Sequence, residues 1–174
     1  MASMVDRMIR AAKLNSQLYE EVEADKGALG QAMGVVVLAS IAAGVVNGTL
    51  GGLSGVFLGT VGALIGWFIW AGLTYLIGTK ILPEPQTRAD FGELLRTIGF
   101  SSSPGTIRVL GLIPGTTGIV FLVSSVWMLV AMVIAVRQAL DYRSTLRAVG
   151  VCAIGWAVQM LILVLLYYFL RGPA

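Results

Sequence analysis

The sequence contains no histidine, a single cysteine (Cys152) and little charge. Without histidine there is no His-ligated haem, no His-containing zinc site and no Ser–His or Cys–His nucleophile pair. One cysteine excludes an intrachain disulfide and a CxxC redox pair. Asp, Glu, Lys and Arg make up 12% of the chain, against about 25% in a soluble domain, about half the usual supply. No basic block is dense enough for nucleic acid. The pI near 9.3 is explained by cytoplasmic loops and anionic headgroups.

What is present is apolar. Hydrophobic residues form 57% of the chain, and no charged residue occurs from 27 to 79, from 109 to 136 or from 148 to 170. A span needs about 20 predominantly apolar residues. The first gap therefore holds two spans (28–46 and 55–77) around a short uncharged turn. The other two hold one each (117–136 and 148–170).

Between these lies the stretch that organises the chain, FGELLRTIGFSSSPGTIRVLGLIPG (91–115). It is apolar enough to enter a membrane, yet Ser101–Gly105 interrupts it. Proline removes a donor and clashes with the preceding turn, so one helix through Pro104 is excluded. Ser103 and Pro104 read as the N-cap and first position of a new helix. The predicted fold is all-α: a polytopic membrane bundle of five segments, the third broken at Ser103–Pro104. Residues 27–171 form this domain, preceded by a cytoplasmic segment over 1–26.

In that leading segment Met4, Val5, Met8, Ile9 and Ala12 recur at helical spacing, which predicts a basic amphipathic helix on the membrane surface. Asn15 or Ser16 can cap a second helix carrying Glu20, Glu21, Glu23 and Asp25. Gly44 and Gly48, Gly55 and Gly59, and Gly62 and Gly66 stand four apart. They suit close helix packing within the bundle or in a homodimer. Arg7, Arg10, Lys13 and Lys26 place the N-terminus in the cytoplasm of an inner-membrane protein. If 91–112 crosses, Arg137, Arg143 and Arg147 return to the cytoplasm and the C-terminus lies outside. If it re-enters, those arginines are exported. The positive-inside rule favours crossing.

Tyr19-Glu-Glu-Val22, ELLRTIGFSSSPG (93–105), the tryptophan of VWMLVAMVIAVRQAL (126–140) and the following YRSTLRAVGV together resemble the Yip (Ypt-interacting protein) family in its compact bacterial form. The resemblance covers nearly the whole chain. Its most specific part is the proline of the third segment, followed by a tryptophan-containing fourth span and a short basic linker. It implies a five-span helical bundle and no catalytic residues. Eukaryotic members act in early secretory trafficking and contact Rab GTPases and one another. Their long cytoplasmic N-terminal region and DLYGP-type motif do not stand in this sequence.

No catalytic set is evident. Glu93 and Arg96, one turn apart, form a local pair, and Asp141 pairs among Arg137, Arg143 and Arg147. A Ser–Lys dyad would need Lys80 to reach the serine run, with no motif behind it. No cofactor or metal site is expected. The expected function is a non-enzymatic scaffold or accessory subunit, with other membrane proteins or a second copy as partner. Membrane lipid could contact Arg96, Ser103, Arg108, Arg137 or Arg147. The alternative is a small-solute or ion transporter built on the broken segment, with Ser101, Ser124 and Gln159 around a polar cavity.

Overall fold

The computed structural model describes residues 2–47 and 52–171, nearly all of them helical. Helix α1 (Met4–Ala12) starts where the Ser3 side chain accepts from the Asp6 N–H, and α2 (Ser16–Ala24) where Asn15 accepts from Gln17. A 3₁₀ turn at Lys26–Ala28 leads into α3 (Leu29–Asn47). Helix α4 (Gly52–Leu76) ends in a π-turn (Ile77–Ile81). The broken segment is α5 (Phe91–Ser101) followed by a 3₁₀ helix over Ser103–Leu112. Helices α6 (Thr117–Ala139) and α7 (Thr145–Arg171) complete the chain.

Four of these are long and apolar enough to cross a membrane: Lys26–Val46, Gly52–Ile81, Thr117–Ala139 and Thr145–Phe169. The expected five segments thus appear as four long helices and one broken one. The broken one lies parallel to α3 along its length. A Cβ at Gly99 would touch Ala32, one at Gly105 would touch Ala39, and one at Gly111 would touch Val46. Each step is seven residues on α3 and six on the partner. The mismatch follows from geometry, because a 3₁₀ helix rises about 2.0 Å per residue and an α-helix about 1.5 Å. The eleven residues of α5 and the ten of the 3₁₀ helix span about 36 Å, more than a hydrocarbon core of about 30 Å.

One expectation about the break is corrected. Ser103 is not the cap: Ser102 is, without a side-chain bond, and the Ser103 hydroxyl donates back to the Phe100 carbonyl at 2.6 Å. The new helix does begin here, and it is 3₁₀. Ser101 likewise bonds Ile98, so the hydroxyls of Ser101 and Ser103 satisfy carbonyls that α5 leaves free at its end.

A Cβ at Gly44 would lie 3.4 Å from Val56, but one at Gly55, Gly59, Gly62 or Gly66 would meet nothing within 4 Å. Gly48 lies outside the described residues. Along the broken segment, the glycines that admit a close neighbour are Gly99, Gly105 and Gly111; elsewhere Gly78 does so against Leu140 and Gly155 against Trp70.

Helix α1 docks one side on the bundle. Arg7 and Ala11 are buried and Met4 and Met8 pack on the core, whereas Val5 and Ile9 are 60% and 50% exposed. Glu21 of α2 and Asp25 just after it neutralise Arg7, which lets this side dock on protein. The far end is pinned where Trp127 Nε1 donates to the Ala12 carbonyl at 2.8 Å. Trp67 and Trp70 are inter-helix residues, donating to the Leu95 carbonyl at 3.0 Å and to Met132 Sδ at 3.4 Å.

Candidate functional site

The five positions read as possible lipid or partner contacts do not converge. Arg96 is buried and donates to the carbonyls of Val22 and Glu23, closing the C-terminal end of α2 against α5. Its expected partner Glu93 instead completes a capping box, accepting from the Asp90 N–H while Asp90 accepts from Glu93 N–H. The Asp-x-x-Glu spacing at Asp90–Glu93 is the sequence signal that announces this arrangement. Ser103 is spent on the Phe100 carbonyl at the end of α5.

Arg147 holds a loop rather than Asp141. It donates to the Pro83 carbonyl at 2.7 Å and lies 3.6 Å from Glu84. Glu84 also accepts the Arg143 and Ser144 N–H groups, so it caps the start of α7. These bonds, the Arg143 N–H first, hold its carboxyl below the usual range. Asp141 makes no ion pair among the described residues. Beside this loop the Tyr142 hydroxyl lies 2.9 and 2.7 Å from the Gly78 and Leu82 carbonyls, which the π-turn leaves available.

Arg137 lines a polar cavity of about 550 Å³ on the charged rim, together with Glu20, Glu23, Glu93, Asp141 and Arg143. Its Nε donates to the Tyr142 carbonyl at 3.2 Å. Burial, with Glu93, Asp141 and Glu20 nearby, pushes the Glu23 carboxyl up to about 7, and Arg96 offsets only part of this. The folded chain therefore binds a proton that the unfolded chain has lost between about pH 4.5 and pH 7. Stability contributed by protonated Glu23 falls as pH rises through that window. We expect the melting temperature in detergent to drop from pH 5 to pH 8 and Glu23→Gln to flatten the drop. An unchanged pH profile in the variant would show that Glu23 is not the titrating group.

Arg108 stands apart from the other four. It lines a second cavity, of about 260 Å³, at the middle of the bundle with residues from α3, α4, α5, α6 and α7. Its Nε donates to Ser124 at 3.1 Å, one Nη to Ser125 at 3.2 Å, and its carbon lies 5.2 Å from the Phe121 ring centroid. Gln159 lines the same cavity, as do Ser40 and Ser102. The polar groups expected around a mid-bundle cavity thus meet it in part. Gln159 faces it, whereas Ser124 is bonded to Arg108 and Phe121, and Ser101 to Ile98.

No curated protein and no solved structure matches the chain. A family model, the Yip1 domain, matches residues 17–167, from the first turn of α2 almost to the end of α7. That range takes in all four long apolar helices and the broken segment, and on it the chain belongs to the Yip1 domain family.

Proposed function

We propose that this chain is a non-enzymatic scaffold or accessory subunit of a membrane assembly, with other membrane proteins or a second copy as its partner. The observation that supports this reading best is how the arginines are used. Arg7, Arg10, Arg96 and Arg147 bond carboxylates and carbonyls of the same chain, fastening α1, α2 and the 82–90 loop onto the bundle. The product is a fixed polar rim carrying Glu20, Glu23, Glu93 and Asp141, a surface suited to a complementary neighbour. In this reading the rim is cytoplasmic, the membrane is the inner membrane and the C-terminus is outside, as the loop arginines favour. Lipid fills grooves near the broken segment.

Gently purified from native membranes, the chain should run in a complex larger than its own 18.4 kDa. Glu20→Arg, a charge reversal on the rim, should release it. A chain that runs alone sinks the scaffold reading. Solute movement in reconstituted vesicles, lost on Gln159→Leu, would replace it with transport. Cysteines placed at Ser144 and Thr116 should label from opposite sides of the membrane in a Cys152→Ala background. Labelling from one side would overturn the proposed orientation.

A further inference from the structure

We propose that the central cavity binds one membrane glycerophospholipid, its phosphate on Arg108 and part of an acyl chain against Val36, Ile98, Met128 and Met132. This gives a site and a ligand class to the lipid contacts of the proposed function, and it holds whether or not a protein partner exists.

The first support is unspent polarity. Gly105 beside Ala39 and Gly111 beside Val46 place Arg108 within the length of α3, at the depth of the long apolar helices. A cation there is costly unless it is paired. Its partners are two serine hydroxyls and an aromatic ring, and no carboxylate forms an ion pair with it among the described residues. A guanidinium carries five N–H donors in a rigid fork, and the two serines occupy two of them. The Ser102 hydroxyl and the Gln159 amide line the same cavity and have no side-chain hydrogen bond among the described residues. Donors without acceptors call for a ligand rich in acceptor oxygens. The planar fork matches phosphate in particular.

The second support is the rest of the wall and the way in. Val36, Ile98, Met128 and Met132 are apolar, and the indole N–H groups of Trp67 and Trp70 are already bonded elsewhere. A small hydrated anion would leave this surface unmatched, whereas a hydrocarbon chain covers it. Gly66 of α4 lines the cavity, and Gly62, Gly59 and Gly55 continue the same helix face with nothing within 4 Å of their Cβ positions. Helix α7 meets α4 nearer the rim, where a Cβ at Gly155 would lie 3.3 Å from Trp70. Beyond that contact the glycine face gives a sideways path from the bilayer. A cavity of about 260 Å³ holds a phosphate and part of one chain, and the remainder lies along the glycines.

The test uses the full chain in nanodiscs of phosphatidylglycerol and phosphatidylethanolamine, with lipid counted per chain by native mass spectrometry after release. One lipid should stay with the wild type. Arg108→Gln should lower retention by about tenfold or more, the loss of a charged hydrogen-bonding partner. Arg108→Lys should fall between. Gly62→Leu fills the path at a position with no neighbour, so it should fold normally yet retain less lipid. Wild-type retention in both Arg108→Gln and Gly62→Leu overturns the proposal. If Arg108→Gln fails to fold, Gly62→Leu decides alone. Inorganic phosphate added to lipid-free protein is the control. Thermal protection equal to that from lipid, and lost in Arg108→Gln, would assign the site to a free anion instead. A lone chain that keeps its lipid sinks the scaffold reading and leaves this site standing; a complex without lipid does the reverse.

Discussion

Gly99→Leu is expected to yield no folded bundle in detergent, while Gly62→Leu melts like the wild type. The difference lies in what a side chain would meet. At Gly99 a Cβ would sit 2.7 Å from the Ala32 Cβ and 3.1 Å from the Ala32 carbonyl oxygen. Those atoms belong to the backbone and first carbon of α3, and they yield only if one helix moves off the other. Even Gly99→Ala should cost about 1–3 kcal/mol, the range for forced overpacking. Gly105 is intermediate. Its Cβ would meet Met128 Sδ at 2.9 Å and Ala39 Cβ at 3.1 Å, and a thioether can swing aside. Gly105→Ala should therefore melt between Gly99→Ala and the wild type, and Gly105→Leu should still be poorly tolerated. Thermal denaturation and the monodisperse fraction on size exclusion read this order. A Gly99→Ala variant as stable as Gly62→Ala would mean that α5 and α3 are not in contact here.

This order bears on what the sequence can show. The charge-free gaps predict the four long helices because charge inside a bilayer is costly, and that rule needs no knowledge of packing. Pro104 predicts the break because its effect on the backbone is local. The choice of packing glycines is not local. Gly55, Gly59, Gly62 and Gly66 have the regular spacing of a helix face, yet face no neighbour among the described residues. Gly99, Gly105 and Gly111 stand six apart, a spacing with no meaning on an α-helix. It becomes a stripe only because the segment changes to 3₁₀ at Ser103 and gains rise per residue. The site divides the same way. Arg108 stands out in sequence as a cation in an apolar stretch, but its cavity takes residues from helices spread over more than a hundred positions. Arg96 is paired locally by spacing and distantly by the fold, with carbonyls more than seventy residues away.

Arg7→Met should detach α1 and cost about 2–3 kcal/mol, the loss expected for one member of a buried ion cluster whose partners keep some water. Arg7 is 3% exposed although it lies on a nine-residue helix near the chain start. All three guanidinium nitrogens are used: Nε donates to Glu21 at 3.0 Å, Nη1 to Gln31 at 3.1 Å and Nη2 to Asp25 at 2.7 Å. One side chain thus ties α1 to α2, to the turn after it and to the first turns of α3. Arg10 adds a second bond to Glu21, at 2.6 Å. Arg7→Lys keeps the charge but loses the fork, so it should fall between the wild type and Arg7→Met. Acid gives an independent handle. Bonds from Arg10 and Arg7 hold the Glu21 carboxyl below its ordinary value, and Arg7 does the same for Asp25. Depressed carboxyls stabilise the fold above their unfolded values and lose that contribution only as pH falls through the lowered ones. The clasp should therefore survive down to about pH 4 and open below it, separate from the Glu23 effect near neutrality. Trypsin cleavage at Arg10 and Lys13 reads the detachment directly. It should be slow in the wild type at neutral pH and fast in Arg7→Met, with the melting of the remaining bundle lowered in parallel. Cleavage at wild-type speed in the variant would show that α1 is held by Met4, Met8 and the Trp127 bond alone.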